Sequence, residues 1–333
     1  MRKFRGNGNS IKADNNALSF IKTGVNDVRQ KREKRIRRKM TREDMTFYLI
    51  LIPFMGTFFI FNILPVLASV TLSFFDFDMV SVPIFNGFDN YIRMFAGDRV
   101  FSKVVGTTLK FAVVAGPVSY ILAFLLAWMI NEFPKPLRIL LTFVFYVPSL
   151  VGNALYIWQI MFSGDSYAYV NNLLISFGFI TEPITWFQNV KYNFNVILII
   201  QLWMSMGVSF LANMAGLQNV NTELYEAGAI DGIRNRWHEL WYITMPSMKS
   251  ILLFSAVMQI QSVFSASALM QSLAGYPSVN NSVDTLVSLI TDVGTQRYEM
   301  GYAAALSVFL FSVILIVRYL IGGLLSLVGK SDS

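Results

Sequence analysis

The sequence predicts an all-α, polytopic membrane protein with six transmembrane helices, and three observations carry that class. Of the 333 residues, 54% are hydrophobic and only 14% charged, a balance outside the range of soluble domains. Six apolar runs, at 47–75, 104–130, 139–162, 194–217, 250–273 and 302–327, match the roughly 20 helical residues that cross a hydrocarbon core of about 30 Å. None of them alternates apolar and polar residues as barrel strands do.

The first segment, 1–46, is a basic tail. It holds 14 Lys/Arg, and its densest stretch, "DVRQKREKRIRRKMTRED", has no interleaved aromatic residue. It therefore reads as a solvated anchor for the first span, with contact to anionic lipid as the second reading. The run at 47–75 exceeds the length of a signal-peptide core and no A-x-A-like site follows it, so it stays as a span. With the amino terminus in the cytoplasm, the inner segments carry 20 Lys/Arg and the outer loops five, at Arg93, Arg99, Lys103, Lys191 and Arg297. That bias places both termini on the cytoplasmic side of a bacterial plasma membrane. Lys110 and Arg318 are the only charges inside the six runs.

The transmembrane domain then occupies 47–328. Its second and third spans form a hairpin through the short connection "NEFPKP", turn-rich outer loops cover 76–103 and 163–193, and a charged loop covers 218–249. A short cytoplasmic tail, 329–333, closes the chain. Its "VGKSDS" fails as a phosphate-binding loop because Leu324 stands where the first glycine is required. With no cysteine and a single histidine, His238, the chain has no disulfide, no zinc site and no thiol nucleophile. No catalytic residue, metal site or bound cofactor is expected.

The charged loop has its own helical grammar. Asn221 or Thr222 caps a short helix with Glu223 in its first turn, and Gly232 offers a left-handed stop. Asn235 caps a second helix in which Trp237, Leu240, Trp241 and Thr244 recur at helical spacing, and Pro246 breaks the chain before the fifth span. The product is a two-helix elbow, with Ala227 and Gly228 small enough to fit a groove and Glu226 and Asp231 free to meet a basic partner.

These residues resemble the inner-membrane permeases of binding-protein-dependent ABC importers, of the maltose and glycerol-phosphate (carbohydrate) type. Their E-A-A-x-x-D-G followed by I-x-L-P is matched by Glu226, Ala227, Asp231, Gly232, Ile243 and Pro246, with Gly228 for the second Ala and Met245 for Leu. Ten residues separate Gly232 from Ile243, one more than the resembled pattern has, and one residue turns a helix by about 100°. "FNGFDNYIRMF" and "WQIMFSGDSYAYVNNLL" are similar to segments that follow the first and third spans of such permeases. The resemblance implies that the elbow docks on a separate cytoplasmic ATPase, with ATP and Mg bound there and not by this chain. It also implies a second permease subunit, an ATPase dimer, an extracytoplasmic solute-binding protein and a sugar as partners.

Two rival classes remain at this point. A stand-alone secondary transporter or channel for a small polar solute needs an ionisable coupling group, yet the six runs contain no Asp or Glu. A non-transporting scaffold or sensor has no use for the polar stripes that the spans carry. Gln201, Ser205, Ser209 and Asn213 recur every four residues, Ser255, Gln259, Ser262 and Ser265 at three and four, and Asn153, Tyr156 and Gln159 at three. Each set marks one helix face. Asn153, Tyr156, Gln159, Gln201, Ser205, Gln259 and Ser262 are the candidates for a substrate cavity. Amides with Trp158, Trp203 and Tyr156 nearby suit an uncharged polyhydroxyl ligand. For Gln201, Gln259 and Asn153 the competing reading, hydrogen bonds that glue helices together, weighs about the same; it explains the serines well.

Overall fold

The computed structural model describes residues 42–151 and 155–328. The tail before Arg42, Asn153 and the tail at 329–333 lie outside the described residues. The chain falls into two compact units, Met1–Val66 and Leu67–Ser333. In the first, the described residues form a helix whose side chains from Met45 onward are almost all exposed, as expected of a segment that is apolar all round and solvated by lipid. This helix, α1, continues to Leu72 with a π-helical turn at Phe59–Ile63.

In the second unit a two-residue hairpin pairs β1 (Phe75–Asp76) with β2 (Ile84–Phe85), Phe75 opposite Phe85. The short helix α2 (Asp89–Ile92) follows. Its buried Asn90 donates to the carbonyls of Ser73 and Phe75, both at 3.0 Å, and Tyr91 donates to Ser73 Oγ at 2.8 Å. Asp98 caps α3 (Arg99–Asn131) by accepting from the amides of Val100 and Phe101. Then come α4 (Lys135–Leu150), α5 (Leu155–Met161), α6 (Tyr169–Ser176), α7 (Asn193–Met204) and α8 (Val208–Gln218). The charged loop folds as α9 (Thr222–Ile230) and α10 (236–247); α11 (Lys249–Phe264), α12 (Ser267–Ala274), α13 (Leu286–Thr291) and α14 (Met300–Val328) complete the chain.

Helices α3, α8 and α11 pack on one another at the centre, with α14 against α11 and α13, and α13 against α3. Phe111, Ile197, Ile200, Phe210, Met248 and Leu306 are among the fully buried side chains. Long apolar helices thus bury one face and leave the other apolar and exposed.

Among the described residues, four helices are long and apolar enough to cross a membrane, or up to six if each of two bent pairs is one span. The expected run at 139–162 is divided between α4 and α5, on either side of 152–154. The expected run at 194–217 bends by 42° between α7 and α8. The bend has a local cause: Gly207 adopts φ −109°, ψ −126°, outside the helical region. A Cβ there would stand 3.4 Å from Ser149 Cβ, so glycine also allows α8 to start close against α4.

Candidate functional site

The elbow is held by local chemistry first. Asn221 accepts from the Glu223 amide at 3.1 Å to cap α9, and Asn235 accepts from the Trp237 amide at 3.1 Å to cap α10. Between them α9 ends in a complete Schellman motif. Gly232 takes φ +94°, its amide donates to Ala229 O at 3.3 Å, and the Ile233 amide donates to Gly228 O at 2.9 Å. Pro246 does not end α10. It occupies the first turn of a helical segment that runs to Ser247, and the chain leaves the helix at Met248. A π-helical turn at Leu240–Thr244 precedes it; such a turn holds one residue more than an α-turn, the same number by which the spacing from Gly232 to Ile243 exceeds the resembled pattern.

The two halves are latched together. Tyr225 Oη and Thr244 Oγ1 are 2.9 Å apart, and Ile243 is buried against Gly228, where an added Cβ would come within 2.6 Å of Ile243 Cδ1. Glycine in place of the resembled pattern's second Ala therefore fits the neighbour it has. Glu226, Ala227, Asp231 and Pro246 are exposed, as are Ile230 and Trp241. The elbow presents two carboxylates and an apolar tip on a rigid frame.

Its attachment to the bundle escapes sequence reading. Arg236 pairs with Glu132, at the end of α3, at 2.9 Å and with Glu239 at 2.8 Å. The Glu239 hydrogen bond and then the Glu132 charge raise its pKa. Trp237 lies on Trp128 with ring centroids 5.2 Å apart. The one available hint was Glu132, an acidic residue in an otherwise basic short connection.

The polar stripes separate into two kinds. Gln259 is 2% exposed and uses both ends of its amide: Ser209 donates to Oε1 at 2.6 Å and Nε2 donates to Ser119 Oγ at 2.6 Å. It ties α3, α8 and α11. Gln201 makes one long contact, Nε2 to Ser262 Oγ at 3.5 Å, and keeps unused hydrogen-bonding capacity. Ser205 donates to Leu202 O within its own helix. Gln159 donates to Ser272 O, and Tyr156 is exposed. Trp158 packs on Phe162 and Trp203. Asn213, fully buried, has neither side-chain polar atom bonded among the described residues. Among those residues no group of acidic or histidine side chains is arranged to hold a metal.

A family model described as "Binding-protein-dependent transport system inner membrane component" matches residues 115–326. The chain belongs to this family. The permease is 32% identical to the lactose transport system permease protein LacF of Rhizobium radiobacter over 64% of this chain and 71% of that one. It is 28% identical to the probable ABC transporter permease protein YesP of Bacillus subtilis over 81% and 87%. A bacterial alginate ABC transporter, solved in complex with an alginate pentasaccharide-bound periplasmic protein, superposes with a TM-score of 0.73 at 21% identity, covering 88% of this chain and 98% of that one. The protein is thus a multi-pass inner-membrane permease subunit of an ABC importer, and the reading as a stand-alone secondary transporter or channel is set aside.

Proposed function

We propose that this permease imports a neutral sugar or oligosaccharide, with both termini cytoplasmic and its spans counted as six by taking each bent helix pair as one. The observation that carries the coupling is the elbow: a capped, latched two-helix unit that exposes Glu226, Ile230 and Asp231 just before its glycine stop. A carboxylate pair around an apolar tip fits a basic-rimmed groove on a separate ATPase, which supplies ATP hydrolysis to a pair of permease subunits. Ile243, buried under Gly228, and the Tyr225–Thr244 contact couple α9 to α10 and so to α11.

Sugar as cargo is supported by the relatives, whose names refer to lactose and to arabinooligosaccharides, and by the absence of acidic residues in the apolar runs. An extracytoplasmic binding protein delivers it. Reconstitution of the permease with its ATPase and binding protein in liposomes tests the reading. Uptake of neutral oligosaccharides driven by internal ATP is expected, and import of amino acids with indifference to every neutral sugar refutes it.

A further inference from the structure

We propose that the basin formed by the end of α5 and the loop before α6 binds one uncharged sugar unit of the cargo; this rests on the sugar-import reading and adds a site to it. The basin, of about 620 Å³, is lined by Gln159, Ser163, Asp165, Ser166 and Tyr167, a volume within the roughly 300–1,000 Å³ usual for small-molecule sites.

What distinguishes it from a surface hollow is that its loop is fixed in advance. Asn171, fully buried on α6, donates through Nδ2 to the carbonyls of Ser163, Asp165 and Ile184, each at 3.1 Å. Its Oδ1 accepts from the Ile184 amide at 3.2 Å and Trp186 Nε1 at 2.9 Å. Gly164 packs so closely on Thr185 that a Cβ would fall 2.9 Å from Thr185 Cγ2. The next anchor, Ala168, is buried. Between these fixed points Tyr167 is 91% exposed. The pinned backbone presents Tyr167 outward, so a partner meets it without the cost of ordering the loop.

The lining chemistry selects the partner. Asp165 Oδ2 accepts from Ser163 Oγ at 2.7 Å, which leaves Oδ1 to accept from a ligand. Gln159 Nε2 is engaged with Ser272 O, which leaves Oε1 as the acceptor that this lining residue has to offer. No Lys, Arg or His lines the basin. Acceptors and an aromatic side chain lining one basin suit hydroxyl donors on a ring with an apolar side, such as a pyranose or furanose. A carboxylate-bearing sugar would meet Asp165 without a compensating cation. Tyr156, exposed and one turn before Gln159 on α5, extends the same face away from the basin.

The test uses the assembled importer in lipid nanodiscs without binding protein, with saturation-transfer NMR on lactose, a neutral arabinose trisaccharide and a galacturonic acid trisaccharide. Transfer to at least one neutral probe and none to the acidic one is expected, falling at least fivefold in Tyr167→Ala and Asp165→Ala and unchanged in Tyr169→Ala, an exposed site outside the basin. In liposomes the concentration for half-maximal uptake should rise at least threefold in the first two variants. Should Asp165→Ala fail to assemble, Tyr167→Ala decides alone, because its ring packs on almost nothing. A wild-type importer that takes up sugar while the basin variants match it overturns this site and leaves the function standing. Variants that lose stimulation by the binding protein with saturation transfer intact make the basin a protein-docking face and overturn the sugar site. Equal transfer to the acidic probe overturns the charge argument, and a wild-type importer that moves none of the probes overturns the sugar reading and this site together.

Discussion

Replacing Gln259 by Leu separates helix packing from ligand contact more sharply than any other change in the bundle. The side chain is 2% exposed and its two bonds, to Ser209 and Ser119, are each 2.6 Å. Interhelical hydrogen bonds in membranes are worth about 0.6 kcal/mol on average and at most about 1.7, so losing two costs roughly 1–3 kcal/mol. Ser119 keeps a partner in Ala115 O, whereas Ser209 Oγ loses the acceptor of its proton, which places the cost in the middle of that range. Leucine fills most of the vacated volume and adds no cavity penalty. For a unit of this size about 1.5 kcal/mol corresponds to a melting shift of roughly 3–6 °C. Gln201→Leu removes only a 3.5 Å contact and should shift melting by less than about 2 °C. Its spare amide is the one available to a ligand hydroxyl, and removing a buried partner for that hydroxyl weakens uptake roughly tenfold. The assay is thermal melting of the detergent-solubilised complex beside uptake per assembled complex. Gln259→Leu that melts like wild type and loses uptake, or Gln201→Leu that melts early and transports normally, would refute the assignment.

Gly232→Pro is expected to abolish ATPase association, because proline cannot reach φ +94° and lacks the amide given to Ala229; Gly232→Ala, strained by about 1–2 kcal/mol, should retain part of it. Pull-down of the ATPase with the tagged permease measures both, and full recovery by Gly232→Pro would remove Gly232 from the docking geometry. Glu226→Lys should lose transport with the permease still folded; normal transport in the presence of the ATPase would show that its carboxylate does not dock. Single cysteines at Asn172 and Arg234, both exposed, should label from opposite faces of intact cells, Asn172 from outside. Labelling of both from outside would end the six-span topology.

The elbow was legible in the sequence where its chemistry is local, with Asn221 and Thr222 left as alternatives for the first cap and Pro246 read as a break that the fold does not have there. Asn221 and Asn235 each accept from an amide two positions on, Gly232 donates its own amide to a carbonyl three positions back, and a cap is written in the order of the chain. The stripes were legible as faces but not as functions. Gln201 and Gln259 look alike in spacing, and only the helix opposite each decides that one is fully bonded and the other is not. The bend at Gly207 was hidden because an isolated glycine in an apolar run carries no sign of whether its ψ will leave the helix, and the Arg236–Glu132 and Trp237–Trp128 contacts join positions about a hundred residues apart. Asn90 and Asn171 stood inside stretches noticed only as resemblances; their physical role, one buried amide satisfying several loop carbonyls, needs the folded loop to be seen.

The π-turn at Leu240–Thr244 turns the one irregular feature of the elbow's spacing into a measurable claim. The Met245 amide reaches back five residues to Leu240 O, so the segment contains one residue more than an α-turn while the axis continues. Without that turn, an additional residue would rotate everything after it by about 100° and separate Ile243 from Gly228 and Thr244 from Tyr225. The widened turn also precedes Pro246, whose ring needs clearance from the carbonyl four residues earlier, so sterics favour the bulge at this position. Tyr242, 72% exposed, is the residue to remove. Its deletion converts the π-turn to an α-turn and leaves the faces before and after it in register, so ATPase association should stay within about threefold of wild type. Deletion of Ala229, also exposed but within regular α9, removes a residue that no wide turn can compensate and shifts Gly232 relative to Glu226 by about 100°; association should be lost. Equal damage from both deletions would mean that the wide turn does not absorb the additional residue, and that Ile243 reaches Gly228 for another reason.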